Sequence, residues 1–285
     1  MSETGDSKQS RKFHIPAQPE LLRLLQGEIQ RDVPDMDRIS ELISEDVAIS
    51  AAVLKTVNSS FFGVKSEVLS IQHALNMMGV DATIDVVMAL SLEQSMGDLV
   101  ALPRFWDSAK DIANLCAFIA KRLNLHEPSQ AYTLGLFHDA GIPLMASRFD
   151  DYLDALQQSQ ALEDENFQGL TTDFEDAKYD CSHTDMGYIL SREWGLPDCI
   201  RQVIRQHHDC RAMLTSADPK NEPYAKLMSV LKLAEWGREE FRRGQPTAEW
   251  TRISPLVLNF LYMSEEDALD LLEGMKEALM DTQAY

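Results

Sequence analysis

The apolar residues of this chain recur at the three- and four-residue steps of an α-helix almost from end to end. Leu21, Leu22, Leu25 and Ile29 follow Pro16 and Pro19, which suit a helix start. Ile39, Leu42 and Ile43 follow Asp35 or Asp37, either of which can cap the helix. Ile49, Val53, Leu54 and Val57 share one face, and Asn58-Ser59-Ser60 stops that run. Ser70 caps a further helix carrying Ala74, Leu75 and Met78, which Gly79 closes. Residues 81–92 are apolar enough to be buried. After a break at 97–103, residues 109–123 are amphipathic, residues 128–141 read as one helix ending at His138-Asp139, and residues 150–166 as a helix with an acidic face. Residues 167–180 read as a loop. Residues 182–194 and 197–208 form two helices joined by Gly195-Leu196-Pro197, residues 224–241 another, and Ser264-Glu265-Glu266-Asp267 resembles a capping box that opens the last. Strand-like alternation of useful length is missing, and no period of roughly 20–50 residues suggests a solenoid. The expectation is an all-α fold.

Composition narrows the classes of function. With 285 residues the chain can bury a sizeable core. Forty-six acidic residues stand against 26 Lys and Arg, a formal net charge of −20, and such a field repels nucleic-acid backbones and anionic membranes. The four cysteines, Cys116, Cys181, Cys199 and Cys210, make no CxxC pair. The polar start MSETGDSKQSRK lacks the apolar run of a signal peptide, and no window approaches the roughly 18 apolar residues of a membrane span. A cytoplasmic protein with reduced thiols is expected, with neither nucleic acid nor membrane as partner.

Seven histidines occur, at 14, 73, 126, 138, 183, 207 and 208. His73, inside an apolar-periodic helix, reads as structural, and Trp106 and Trp194 read as core anchors. His138 precedes Asp139 in Gly135-Leu136-Phe137-His138-Asp139-Ala140-Gly141. Imidazole and carboxylate together suit divalent ions of intermediate hardness, which activate water near neutral pH. Neighbouring helix positions diverge by about 100°, so both side chains serve one site only if the helix end points into it. Taken singly, the His-Asp dipeptide is as readily a helix-terminal histidine bonded to backbone. His207-His208 is as readily a wet helix end, and His183 a residue beside an N-cap.

Several segments together resemble the HDOD family, a branch of the HD-domain superfamily found in bacterial signalling proteins. Ile43-Ser44-Glu45-Asp46-Val47-Ala48 with Val53-Leu54-Lys55-Thr56-Val57-Asn58-Ser59 is similar to the family's early D-P-x-L…L-x-x-x-N-S block. Ile71 to Gly79 is similar to its S-I-x-x-A-I-x-x-L-G block, and Gly135 to Gly141 to its G-L-L-H-D-I-G block. His183 with Gly187, Trp194-Gly195-Leu196-Pro197 and His207-His208 follow in the family's order, and the likeness spans roughly residues 14–240.

The resemblance implies an HD-domain-like helical bundle with an N-terminal helical subdomain. On this reading residues 1–12 are a disordered tail and 13–100 the N-terminal helical part. Residues 101–245 are the HD-like core, and 246–285 are C-terminal helices packed on it. It also implies a metal site built from Asp107, His138, Asp139, His183, His207, His208 and Glu235, with Asp139 as the catalytic candidate. Asp107 and Glu235 stand where a catalytic HD site carries His and Asp, and such oxygen donors favour harder ions among Mg, Mn, Fe and Zn. Ile142 replaces the lysine that cyclic-dinucleotide phosphodiesterases carry after the His-Asp pair, and their Gly-Tyr-Pro signature is missing after His208. These departures favour a regulatory module that binds a protein partner. A metal-dependent phosphohydrolase of nucleotides or phosphomonoesters, and a sensor of a phosphate-bearing ligand, stay open as alternatives. The apolar N-terminal block is either plain core or a groove for a partner helix.

Overall fold

The structure is a computed structural model, and it describes residues 13–58, 67–97, 102–125, 127–164 and 170–283. The expected tail at 1–12, Ser59 and Ser60, His126, and most of the 97–103 break lie outside these residues. Every regular element among them is helical. The order is α1 (Glu20–Ile29), α2 (Met36–Glu45), α3 (Val47–Val57), α4 (Ile71–Met78), α5 (Val80–Gly97), α6 (Pro103–Leu123), α7 (Pro128–Phe137), α8 (Gly141–Arg148), α9 (Tyr152–Asp164), α10 (Thr171–Tyr179), α11 (His183–Glu193), α12 (Asp198–Gln206), a single turn α13 (Arg211–Leu214), α14 (Glu222–Arg243), α15 (Ala248–Phe260) and α16 (Glu265–Gln283). None of these helices is long and apolar enough to cross a membrane.

Local chemistry starts and stops many of these helices where the pattern predicts. The Asp35 carboxylate accepts from the amides of Asp37 and Arg38. Ser70 accepts from the His73 amide, and Gly79 leaves α4 at φ +86°. Ser264 and Asp267 exchange bonds at the start of α16. The Asn58 side chain pairs with both the amide and the carbonyl of Val68, at 2.7 and 2.8 Å, which ties the end of α3 to the approach to α4. N-terminal caps such as those of Asp35 and Ser70 typically contribute about 1 kcal/mol each.

The apolar faces of α1 to α5 meet in one layer, where Leu22, Leu25, Ile39, Ile43, Val53 and Leu75 are buried. Hydrogen bonds and packing join this layer to the later helices. Ser129 and Thr133 on α7 donate to the carboxylate and carbonyl of Asp85 on α5, both at 3.0 Å. The fully buried Trp194 donates from its indole to the Pro16 carbonyl at 3.0 Å, which pins the N-terminal segment to the end of α11. Trp194 is thus a core anchor, as is the buried Trp106.

At the centre, α6 lies along α7 at backbone contact. A Cβ at Gly135 would stand 2.5 Å from the Ala113 Cα, so only glycine allows this approach. α14 packs across both, and its stretch from Ala225 to Trp236 is mostly buried, Lys232 included. Trp236 stacks flat on Trp250 of α15, with ring centroids 4.6 Å apart.

Two expectations are corrected. The helix read over 128–141 ends at Phe137. Residues 138–140 make a tight turn, closed by Ala140 N–H to Phe137 O and Ile142 N–H to Asp139 O, and Gly141 begins a new helix. Within the supposed loop at 167–180, residues 171–179 form α10. Its buried face is polar, carrying Thr171 and Glu175, and a polar inner face leaves no hydrophobic period to read.

Asp85 supplies a test of the interface between α5 and α7. Burial, together with the charges of Asp81 and Glu127, raises its carboxyl to about 6, against the bond from Ser129. The folded state then binds the proton more tightly than the unfolded one. Stability contributed by this group is present at low pH and is lost as pH rises from about 4 to 6. Asp85→Asn keeps an acceptor for Ser129. It is expected to be more stable than the wild type at pH 7.5 by on the order of 1–2 kcal/mol, a few degrees in Tm. The difference should vanish near pH 4, as thermal melts of both proteins across that range will show.

Candidate metal centre

The turn after α7 aims two adjacent side chains into one cavity. His138 is fully packed, and its Nδ1 lies 2.6 Å from the Gly135 carbonyl one turn back. A carbonyl only accepts, so Nδ1 carries the proton and the lone pair of Nε2 faces inward. Asp139 follows, with Oδ2 3.2 Å from that Nε2.

α11 comes to this turn through glycine. A Cβ on Gly141 would overlap the His183 carbonyl oxygen and stand 2.9 Å from the Gly187 amide. With hydrogen there instead, the start of α8 lies against the first turn of α11, and His183 Nε2 reaches within 3.5 Å of Asp139 Oδ1. The other ring nitrogen of His183 is gripped by the buried Glu175 carboxylate at 2.8 Å, which also accepts from the His183 amide and from the Tyr152 hydroxyl. At the end of α12, His207 Nδ1 lies 2.8 Å from the Ile204 carbonyl, and its Nε2 lies 3.4 Å from Asp139 Oδ1. His208 directs Nδ1 to Glu249 at 3.3 Å and Nε2 to within 3.2 Å of His183 Nε2. All four rings therefore commit Nδ1 to an acceptor and direct Nε2 toward the same small volume.

Asp139, His183, His207 and His208 each offer one donor atom, and these atoms lie within 4.8 Å of one another. The resemblance implied a single set of seven ligands, Asp107, His138, Asp139, His183, His207, His208 and Glu235. The structure instead groups Asp139 with the three later histidines. His138 borders the group. Glu235 Oε1 stands 4.0 Å from His138 Nε2. Asp107 is exposed and lines the same cleft outside the group. His73 lies elsewhere, accepting from the Leu69 amide at 3.4 Å.

The sequence reading missed three further residues. Lys232 on α14 is 1% exposed, and its ammonium sits 2.8 Å from Glu235 Oε2 and 2.7 Å from Glu249 Oε1. A lysine inside the apolar stretch of α14 was a visible signal. Glu175 and Glu249 gave none, since each lies among polar residues of ordinary helices. The cleft in front of the group has a volume of about 740 Å³, with Phe105, Trp236, Trp250 and Ile253 on its apolar wall.

Electrostatics follow from this crowding. Burial opposes charge on His138, but the Asp139 carboxylate beside it prevails and raises its pKa. Burial alone would raise Asp139, yet His138, His207 and His183 hold it well below the usual carboxylate range. Burial keeps His207 neutral, with its pKa well below the ordinary imidazole value. His208 moves upward, against burial, because Glu249 faces it. Lys232 stays charged in spite of burial because Glu235 and Glu249 flank it, and Glu249 stays ionised because Lys232 and His208 face it.

These donors fit a divalent ion. His207 Nε2 is buried without a hydrogen-bond partner and points into the group. The inward lone pairs of His183 and His208, 3.2 Å apart, repel unless a cation or proton lies between them. Three imidazoles and a carboxylate suit a borderline first-row ion, and the acceptors behind each ring orient and strengthen the ligands. An ion held there would supply Lewis acidity toward a phosphoryl or carbonyl oxygen.

A helical bundle with a His/Asp cluster at the joint of three helices defines an HD-like domain. The HDOD domain family model matches residues 15–210, and the chain belongs to that family. The match stops short of Lys232, Glu235 and Glu249. Among curated relatives, an uncharacterized protein of Treponema pallidum (strain Nichols) is 27% identical over 259 residues, covering 90% of this chain and 47% of its own length. YuxH of Bacillus subtilis (strain 168) is 25% identical over 154 residues, 51% of this chain and 35% of its own. The chain thus spans less than half the length of either relative. An HDOD domain protein of unknown function from Geobacter sulfurreducens superposes with a TM-score of 0.63 at 19% identity, over 95% of this chain and 92% of that one. A Shewanella amazonensis protein provisionally named a phosphohydrolase gives 0.66 at 20% identity over 92% and 90%. One from Marinobacter aquaeolei, provisionally named a signal transduction protein, gives 0.65 at 19% over 94% and 59%.

Two glycine substitutions should differ in sign. Gly141→Ala forces α8 away from α11 and is expected to cost about 2–3 kcal/mol in urea unfolding, the usual scale of overpacking. Gly27→Ala fills open space on α1, and helix propensity favours it by up to about 1 kcal/mol.

Proposed function

We propose that this protein is a signal-transduction module that works through contacts with a regulatory protein partner, and that its pocket takes a divalent cation without running hydrolysis. On this reading residues 101–245 hold the pocket, residues 13–100 form the N-terminal helical part, and residues 246–285 pack on the core. The observation that carries the proposal is the use of the pocket's carboxylates. Two-metal phosphohydrolysis needs acids that hold both ions about 3.5–4 Å apart. Here Glu235 and Glu249 are engaged by Lys232, Glu175 backs His183 from behind, and Asp107 lies outside the donor group. Of the pocket's carboxylates, Asp139 is the one that lies within the donor group among the described residues. Membership of the HDOD family supports the regulatory reading, as does the name of the Marinobacter aquaeolei protein.

A phosphohydrolase is the second reading, favoured by the gathering of the later histidines around Asp139 and by the name of the Shewanella amazonensis protein. The two diverge in one assay. Purified protein incubated with Mn, Mg, Fe or Zn and a panel of nucleotides, cyclic dinucleotides and phosphomonoesters is expected to release no more phosphate or mononucleotide than a metal-only blank. Turnover that His138→Ala abolishes would establish the second reading instead. Glu175→Ala should weaken binding of Zn or Mn by about 10–100-fold in a chelator competition, the usual effect of removing the acceptor behind a ligand histidine.

A further inference from the structure

Among the described residues Lys232 is the one lysine lining the cleft, whose wall also carries Asp139, Glu235 and Glu249. Its neighbours along α14, Leu231 and Leu233, are fully buried, so the helix face gives it no route to water. Burying an ammonium costs several kcal/mol, and the penalty is offset only where acids surround it closely. Here the acids come from two helices. Glu235, three residues on, contributes Oε2 at 2.8 Å, and Glu249 on α15 contributes Oε1 at 2.7 Å. The remaining oxygen of each acid faces the histidine cluster, Glu235 Oε1 toward His138 Nε2 at 4.0 Å and Glu249 Oε2 toward His208 Nδ1 at 3.3 Å. Two carboxylates thus share one cation, Glu235 also facing the inward nitrogen of His138 and Glu249 bracing His208 from its Nδ1 side, and carboxylates that share a cation in this way can equally share a metal ion.

We propose that the Lys232 ammonium is a built-in cation filling the second cation position of this pocket, so that the chain takes one divalent ion where a dinuclear relative would take two. This rests on the reading that the group of Asp139 and three histidines accepts a divalent ion. The ammonium carries one charge on a fixed stem and exchanges with nothing, whereas an ion brings two charges and open coordination positions. Lys232 thereby balances the carboxylates while withholding the second Lewis acid. Without it, Glu235 and Glu249 would lose the cation they share, and an ion could draw both in from the 2.7–2.8 Å of the ammonium bonds to about 2.0–2.2 Å.

The test counts ions on the full chain. Wild type, Lys232→Met and Lys232→Gln are dialysed to equilibrium against Mn and assayed by atomic emission. One ion per wild-type chain and two per variant chain are expected, with the paired Mn in the variants giving an exchange-coupled resonance signal. Adding Glu249→Gln to Lys232→Met should return the count to that of the wild type. The difference between variant and wild type reads this inference, and the wild-type count reads the cation site itself. A folded variant that binds no more Mn than the wild type overturns the role of Lys232, whatever the wild-type count. A wild-type count of zero overturns the reading of the Asp139 group. Lys232→Gln retains hydrogen-bond donors for both acids and serves where Lys232→Met does not fold. If both fold only with Mn present, that dependence itself supports the proposal. If neither folds even with Mn, Lys232 is a structural cation that no metal replaces, and the proposal fails.

Discussion

The site depends on a backbone contact between two helices that are far apart in sequence. α8 starts against the first turn of α11 so closely that a methyl group on Gly141 would overlap the His183 carbonyl. That contact sets the distance from Asp139, two residues before Gly141, to His183 Nε2, at the first position of α11. A second close approach, Gly135 against Ala113, holds the preceding helix to α6 and fixes the carbonyl that orients His138. The two glycines that frame the His-Asp turn are therefore spacers, and the chemistry of the pocket follows from the absence of their side chains.

Around this joint the protein repeats one device with different materials. Each histidine is held from behind, by a helix carbonyl for His138 and His207 and by a carboxylate for His183 and His208. A carbonyl fixes which ring nitrogen carries the proton. A carboxylate does the same and adds a negative charge behind the ring, Glu175 behind His183 and Glu249 behind His208. Lys232 lies against that same Glu249.

Much of the scaffold was legible in the chain. The 3.6-residue period, the Asp35 and Ser70 caps, the Gly79 stop and the burial of Trp194 all follow from local rules that hold whatever the tertiary structure. The reading failed where a helix hides a polar face. α10 buries Thr171 and Glu175, so its inner side looks like a solvated loop in sequence. Glu175 and Glu249 were invisible for the same reason, being ordinary acids on ordinary helices until their partners are in place.

The sequence alone determined the helical class, the family resemblance and the identity of His138, Asp139, His183, His207 and His208 as the chemically interesting residues, because spacing and residue type are local quantities. Tertiary structure decided which of them meet. It gathered Asp139 with His183, His207 and His208, left Asp107 outside that group and turned Glu235 toward a lysine. Distances of 3–4 Å between helices depend on how closely two backbones approach, and a linear pattern carries no record of that distance.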